Sequence, residues 1–503
     1  MANLIYTTLV AFLVLCSTAL VITTVNLIIR FRAKANLASI YSLRALLDEG
    51  YNNYSKNNQT YVLPYCINGP QVILPNSQIR WLLEQPDSVL SQEKVNRQFL
   101  EAEYTFLHAN LVDVPVHPEV IQHQLTKKIN TFADDIVEEV NVCLEETWGL
   151  DTEEWHEIKV YDTMLVLVTR LSIRVFMGLA LCRDPDFLKA CSKFIRKVIL
   201  VAAAISIFPN FLKPLVAPIF TLYDRIQYHR CSRFIMPMIH ERLNHLRNPD
   251  EPQEKPDSQP PNDYIRWVID HALSKPNPNP LELYPRVIAC RFSVLAFAAI
   301  QSSVITLTNT LFDLAASPEC TASLASMRDE VLCETSRTSA TPTLSSAGGA
   351  WSKASLARMP HVDSALRESL RLNGFVERGI MKMVVAHEGL TLLNGSHTPY
   401  GTKVGVSGYS IHHDEDIYPD ANKYDAFRFV EQGSHDGEKR GPQSLLETMT
   451  SNADCWNLPR HGRIFAANQL KIALAHIALL YEIEPMPARP ANKWFFGHRT
   501  AHV

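Results

Sequence analysis

The stretch RHGRIFAANQLK, residues 460–471, indicates a loop that enters a helix. Gly462 and Arg463 stand at the junction, and apolar residues recur at helical spacing from Ile464 to about Glu482. Free N–H groups and the helix dipole stabilise negative charge just before such a helix. The segment therefore predicts a loop followed by the closing helix of the fold.

Two further motifs lie upstream of this segment. ESLR, residues 368–371, places Glu368 and Arg371 three positions apart, so on a helix they share one face and can pair. On spacing alone the pattern is typical of a surface ion pair worth less than about 1 kcal/mol. YDAFRF, residues 424–429, adds Arg428.

Taken together, the three segments resemble the haem-binding half of a membrane-bound fungal cytochrome P450, a haem-thiolate monooxygenase. The resemblance covers most of the chain. It implies a mainly α fold with a small β region, the cytochrome P450 fold, preceded by an N-terminal transmembrane helix. It also implies that Glu368, Arg371 and Arg428 form a buried triad beneath the haem, since a buried carboxylate is satisfied by two arginine forks.

Residues 297–308, FAAIQSSVITLT, resemble the family's oxygen-activating stretch. The resemblance implies catalytic roles for Gln301 at the polar position and Ser302 at the hydroxyl position, where a hydroxyl can relay protons from water. Without it, a serine and a glutamine that satisfy buried backbone groups explain the pattern equally well. Lys382 stands where relatives often place a base near the haem propionates, and a solvated surface lysine is the alternative.

The position of the iron ligand is unusual. The family places a cysteine two residues before the Gly-Arg pair, but here His461 directly precedes Gly462. Three alternatives remain open. Cys455, seven residues before Gly462, binds the iron from a rerouted loop; His461 binds it through its imidazole; or the normal site is lost. In each case His461, Gly462 and Arg463 belong to the cofactor-binding segment.

Bulk composition limits the class of protein. The 503 residues are 47% hydrophobic and 20% charged, which predicts a large buried core and argues against disorder. A net charge of -4 gives no indication of nucleic-acid binding. The ten cysteines show no regular spacing and indicate reduced thiols in a cytosol-facing protein.

The N-terminus predicts a membrane anchor. No charged residue lies between Leu4 and Ile29, a length that can span a bilayer, and Arg30, Arg32 and Lys34 follow at once. We therefore expect residues 1–34 to be an uncleaved anchor with a basic flank, rather than a signal peptide. Residues 35–503 would form a cytosolic haem domain on a single-pass protein of the endoplasmic reticulum membrane.

Helical patterns alternate with polar joints along the rest of the chain. Exposed loops are expected at 248–262 and 335–350, and short strands near 382–385 and 404–408. The apolar run 284–316 predicts a central buried helix, because its charged residues make a second membrane span unfavourable. The other long helices are expected at 118–147, 159–181, 184–204 and 219–247.

Two functions follow from these observations. The first is a haem-dependent monooxygenase that takes electrons from NADPH-cytochrome P450 reductase and oxidises an apolar small molecule. The resemblance favours a tailoring step in terpenoid or polyketide-like secondary metabolism. The second is a catalytically impaired P450-like pseudoenzyme, or membrane-anchored interaction protein, that lacks the axial thiolate.

Overall fold

The computed structural model describes residues 39, 42–65, 69–108, 111–112, 117–247, 262–277, 279–338, 351–374, 377–430, 460–491, 493–495 and 498–500. Several predicted features lie outside these residues: the anchor at 1–34, the loop residues 248–261 and 339–350, and Cys455.

Within the described residues the helices are α1 (Leu43–Asn53), α2 (Ile79–Glu84), α3 (Gln92–Phe99), α4 (Ala102–Thr105), α5 (His117–Trp148), α6 (Val160–Met177), α7 (Leu179–Cys182), α8 (Pro185–Ser206), α9 (Lys213–Phe220), α10 (Leu222–Arg247), α11 (Tyr264–Leu273), α12 (Pro285–Ala315), α13 (Cys320–Thr338), α14 (Lys353–Ala357), α15 (Pro360–Asn373), α16 (Gly408–His412) and α17 (Arg460–Leu480). Short 3-10 turns occupy Ser55–Asn57, Asn76–Gln78 and Pro280–Leu283. The strands are β1 (Tyr61–Leu63), β2 (Gln71–Ile73), β3 (Leu90–Ser91), β4 (Gly379–Val384), β5 (Leu390–Thr391), β6 (His397–Thr398), β7 (Lys403–Val406), β8 (Lys493–Phe495) and β9 (His498–Thr500).

Four long helices, α5, α6, α12 and α17, pack against one another and form the centre of the molecule. Fully buried side chains from each of them, including Val140, Leu171, Ile300 and Leu474, belong to one continuous apolar core. Since burial of apolar surface is the main favourable contribution to folding, this bundle holds the rest of the chain in place.

Helix α12 is apolar on all sides, the pattern of a helix enclosed by protein. Pro285 lies in its first turn, where a missing N–H costs nothing. Among the described residues it is the helix long and apolar enough to cross a membrane, yet 89% of its apolar stretch is buried inside the protein. The prediction of a central buried helix is therefore confirmed.

A five-stranded sheet in the order β1-β2-β7-β4-β3 joins residues 61–91 to residues 379–406. β2 and β7 pair in parallel and the other neighbours are antiparallel. A bulge lies between Gly379 and Lys382, and a Cβ atom at Gly405 would overlap the Met381 side chain and lie 3.0 Å from the Gly379 carbonyl oxygen. A side chain at this position would therefore have to displace its neighbours where β7 passes the bulge. The predicted small β region is confirmed.

Three predicted boundaries are wrong. The helix expected at 159–181 breaks at Gly178, which has a φ of 83° that favours glycine. The loop expected from residue 335 begins later, because α13 continues to Thr338; the Thr335 hydroxyl donates to the Val331 carbonyl at 3.0 Å and supports that last turn. Helix α17 begins at Arg460, so Gly462 lies within its first turn and not at a loop junction.

The buried face of α10 is polar at its start, where an apolar face is the usual pattern. Thr221, directly before α10, and Asp224 and Gln227 within it follow one another at intervals of three residues and are at most 3% exposed. Side-chain oxygens of all three have no hydrogen-bond partner among the described residues. An unpaired buried polar group is costly, so this seam between α8 and α10 is a locally unfavourable part of the fold.

Asp224→Asn is expected to stabilise the protein at pH 8. Burial raises the pKa of Asp224 to about 7, although Lys197 opposes the shift. Between pH 4 and pH 7 the folded state keeps a proton that the unfolded state has released, so stability falls as pH rises through that window. The substitution should raise the free energy of unfolding by about 2 to 4 kcal/mol at pH 8 and much less at pH 4.

Denaturant unfolding at both pH values checks this expectation. Asp186→Asn provides the matched control, since Asp186 is exposed at the start of α8. An equal effect of Asp224→Asn at both pH values would show that ionisation of Asp224 is not the cause.

Candidate active site

Glu368 and both predicted arginine partners meet in a buried cluster. Arg371 donates to the two Glu368 carboxylate oxygens from Nε at 2.7 Å and Nη2 at 2.8 Å, and Arg428 Nε donates at 2.9 Å. The side chains of Glu368 and Arg371 are 0% exposed and that of Arg428 is 9% exposed. The surface-pair alternative for Glu368 and Arg371 is therefore wrong.

The remaining donors of the two arginines hold the loop between α16 and residue 428. Arg371 donates to the carbonyls of His412 and, at 2.8 Å, Ala421. Arg428 donates to the carbonyl of Pro419 at 2.6 Å. Both guanidinium groups thus satisfy one carboxylate on α15 and several carbonyls of the loop, which fixes the loop against α15.

A second buried carboxylate ties α15 to the central helix. Asp313 of α12 accepts from the Ser369 hydroxyl at 2.6 Å and from the Asn373 amide at 2.6 and 2.7 Å. Arg489 pairs with Asp313 and donates to Asn309 at 3.0 Å. Burial raises the pKa of Asp313 and Arg489 opposes the rise. Helix α15 is therefore held on two sides, by the ion pairs of Glu368 toward the loop and by hydrogen bonds to Asp313 toward α12.

Gln301 and Ser302 lie near the middle of α12. The Ser302 hydroxyl donates to the Ala298 carbonyl at 3.4 Å, a long and therefore weak hydrogen bond. Gln301 hydrogen-bonds to Tyr161 of α6. Burial raises the pKa of Tyr161, whereas Arg196 and the hydrogen bond from Gln301 oppose this rise. The Gln301 Oε1 atom is buried without a partner in the described part of the chain. It could accept from a bound group or water beside α12.

Lys382 lies on β4 and is 7% exposed, so the surface-lysine alternative is wrong. Its Nζ atom donates to the carbonyl of Leu83, in the last turn of α2, at 3.4 Å and to that of Gln85, directly after α2, at 3.2 Å. Burial lowers the pKa of Lys382 and Asp87 opposes the shift. The structure thus gives Lys382 backbone partners, and a role beside the haem stays a prediction.

His461, Gly462 and Arg463 occupy the first turn of α17, and the structure describes their backbone but not their side chains. No breaker separates His461 from Gly462, so the helix runs on through residues that the sequence pattern assigned to a loop. Their roles and that of Cys455 stay predictions.

Six of the seven described cysteines are buried core residues that do not fit an iron-binding thiolate, and the seventh, Cys333, is exposed. Burial raises the pKa of Cys143 and Cys182 to about 12 and also raises the pKa of Cys290 and Cys320. Because the thiolate is the form that binds metals, these thiols pack as small apolar side chains.

Comparison with known proteins agrees with this arrangement. Residues 115–442 match the family model described as cytochrome P450. The chain is 30% identical over 483 residues to cytochrome P450 monooxygenase gloP of Glarea lozoyensis, covering 93% of this chain and 86% of that protein. Cytochrome P450 monooxygenase 151 of Postia placenta is 31% identical over 457 residues, 90% of this chain and 85% of the relative. Cytochrome P450 monooxygenase efuH of Hormonema carpetanum is 31% identical over 477 residues, 91% and 80% of the two chains.

Proposed function

Because the chain belongs to the cytochrome P450 family, we propose that it oxidises an apolar small molecule in a tailoring step of fungal secondary metabolism. The family implies an enzyme with a haem-iron cofactor and a reductase that supplies electrons from NADPH. A terpenoid or polyketide-like substrate is the finer part of the proposal. Similarity to fungal monooxygenases over nine-tenths of the chain is the observation that carries it.

The described residues fit the surroundings of a haem. Ala298 and Ala299 keep side chains small on α12, and the unpartnered Gln301 Oε1 atom lies two residues further on. We assign Gly462, Arg463 and Lys382 to holding the cofactor, and Glu368, Arg371 and Arg428 to keeping the loop fixed against α15. Cys455 is the proposed iron ligand and His461 the alternative. When bound, the haem supplies the oxidising chemistry.

Ser302 is proposed to hold and pass a proton. Its hydrogen bond to the Ala298 carbonyl is weak, so the hydroxyl can turn toward water, whereas Gln301 cannot titrate. Its neighbour Ser303 donates to the Ala299 carbonyl at 2.9 Å and is 2% exposed. These two serines thus differ in how freely the hydroxyl can reorient.

Ser302→Ala is expected to lower product turnover by about tenfold, less than the roughly hundredfold or more typical of a positioned proton donor, because water replaces the hydroxyl in part. The melting temperature should hardly change, since only a weak intrahelical bond is lost. Ser303→Ala is the matched control and should leave turnover within about twofold of the parent, because its hydroxyl is already bonded. Equal losses in both variants would contradict the assignment of Ser302.

Membrane attachment is proposed from residues 1–34, and an exposed apolar face supports it. Phe211, Leu215 and Ile219 are spaced by four residues on and before α9 and are 71% to 76% exposed. Leu222 and Ile226 continue this surface on α10. Such a patch is unusual on a soluble surface and is suited to the edge of a bilayer.

The proposal is tested on the purified full chain by haem content and a carbon-monoxide difference spectrum. A thiolate-type band, and NADPH-dependent oxidation with a fungal reductase, are the expected results. A preparation that is folded but free of haem would contradict the monooxygenase. Cys455→Ser should abolish the thiolate band, and an unchanged band would exclude Cys455 as the ligand. Retention of the full chain in membranes after a carbonate wash tests the anchor.

A further inference from the structure

A cationic cleft lies between α8 and α10, outside the candidate active site. It has a volume of about 440 Å³, which is within the range of small-molecule sites. Lys189 and Lys193 of α8 line one wall, and Arg230 and Arg233 of α10 line the other. Asp186 is the acidic residue of the lining, so the net charge of the cleft is positive.

The four cations are not used by the fold. None of them forms an ion pair with another described residue, whereas Arg196 of α8 and Arg242 of α10 do. Like charges that face one another across a cleft repel, so an anion between them would stabilise the arrangement. Arginine in particular matches the oxygen geometry of a phosphate group.

The lining of the cleft includes a buried glutamine whose side-chain oxygen is unsatisfied. Gln227 lines the cleft, is 3% exposed, and its Oε1 atom has no hydrogen-bond partner among the described residues. Rotation of the amide by half a turn presents its NH₂ group to the cleft instead. A buried amide that can donate to an anion held among the four cations is a further element of an anion site.

The cleft is continuous with the exposed apolar face. Leu222, Ile226, Arg230 and Arg233 follow one another at intervals of three or four residues and share one side of α10. Ile226 and Arg230 are therefore only about 6 Å apart along the helix axis. Apolar side chains followed by cations are the order found where a protein surface passes from acyl chains to lipid headgroups.

We propose that this cleft binds the phosphate group of an anionic phospholipid, with Lys193 and Arg230 on opposite sides of the phosphate. The choice of a lipid over a soluble phosphate rests on the proposed membrane attachment, whereas the binding of phosphate does not. Bound lipid would fix the distance between α8 and α10, the two helices whose facing surfaces carry the unsatisfied Thr221, Asp224 and Gln227.

The test measures binding of dioctanoyl phosphatidic acid to the detergent-solubilised full chain by thermophoresis. Arg230→Glu and Lys193→Glu, one on each wall, are each expected to weaken binding at least about tenfold, since each removes one cation and adds an anion. Both residues are unpaired, so the variants should melt at the parent temperature. Glycerol 3-phosphate carries the same phosphate without acyl chains and should bind far more weakly.

Arg225→Glu is the matched control, since it makes the same charge change on α10 at an exposed, unpaired arginine that does not line the cleft. An equal loss in this variant would show general attraction of anions and would overturn the site. Binding of glycerol 3-phosphate as tight as that of the lipid would overturn the lipid as its ligand. These outcomes are independent of the haem measurements and of the carbonate wash.

Discussion

Glu368→Ala is expected to lower the free energy of unfolding by about 4 kcal/mol, the range found when one member of a buried ion pair is removed. Two guanidinium groups lose their common carboxylate, and both stay in a site that is almost closed to water. The cost is large because a buried unpaired charge is far less favourable than a solvated one. Denaturant unfolding of the detergent-solubilised full chain measures it.

Glu84→Ala is the matched control for this prediction. Glu84 pairs with Arg80 at 2.9 Å, but both side chains are more than half exposed. An exposed pair is worth at most about 1 kcal/mol, so the same truncation should have little effect there. A loss below about 1 kcal/mol at Glu368 would mean that the loop between α16 and Arg428 moves away and lets water reach both arginines.

Helix periodicity explains why part of this cluster was predictable. Residues three apart on any helix share a face, so Glu368 and Arg371 had to be neighbours once α15 formed. Their burial depends on what covers the helix, and the cover is a loop that begins some forty residues later. Only the resemblance to a known family indicated that Arg428 is the third partner.

The Asp313 cluster had no comparable sequence signal. Its partners come from α12, α15 and the segment that follows α17, and no spacing rule connects them. The bond between Gln301 and Tyr161 likewise joins two helices that are distant in sequence. Contacts of this kind depend on how helices pack in three dimensions, and a single sequence does not contain that information directly.

The polar start of α10 shows a different limit. Apolar periodicity predicts which face of a helix is buried, and for most of this chain it predicted the helices correctly. At Thr221, Asp224 and Gln227 the buried face is polar, so the rule assigns these side chains to solvent. Departures of this kind are expected near functional surfaces, and here they lie beside the cationic cleft.

Inserting Ala-Cys-Pro between His461 and Gly462 of the Cys455→Ser variant is expected to restore the thiolate-type carbon-monoxide band, at least about tenfold stronger than in that variant without the insertion. The parent helix α17 starts at Arg460 and continues through His461 and Gly462. Proline is favourable in the first turn of a helix but breaks one further along. The inserted proline should therefore become the new start of α17 and leave the inserted cysteine just before it.

At that position the cysteine meets the unpaired N–H groups and the dipole of a helix N-terminus, which favour the thiolate. Insertion of Ala-Ser-Pro is the control, because it makes the same change in length and helix start without a sulfur atom. If the two insertions give the same spectrum, the cysteine does not reach the iron, and the difference from the family is not confined to the residues before Gly462. If only the Ala-Cys-Pro insertion raises the band, the triad, α12 and the first turn of α17 already form a competent haem site, and the parent chain differs from its relatives in one short segment.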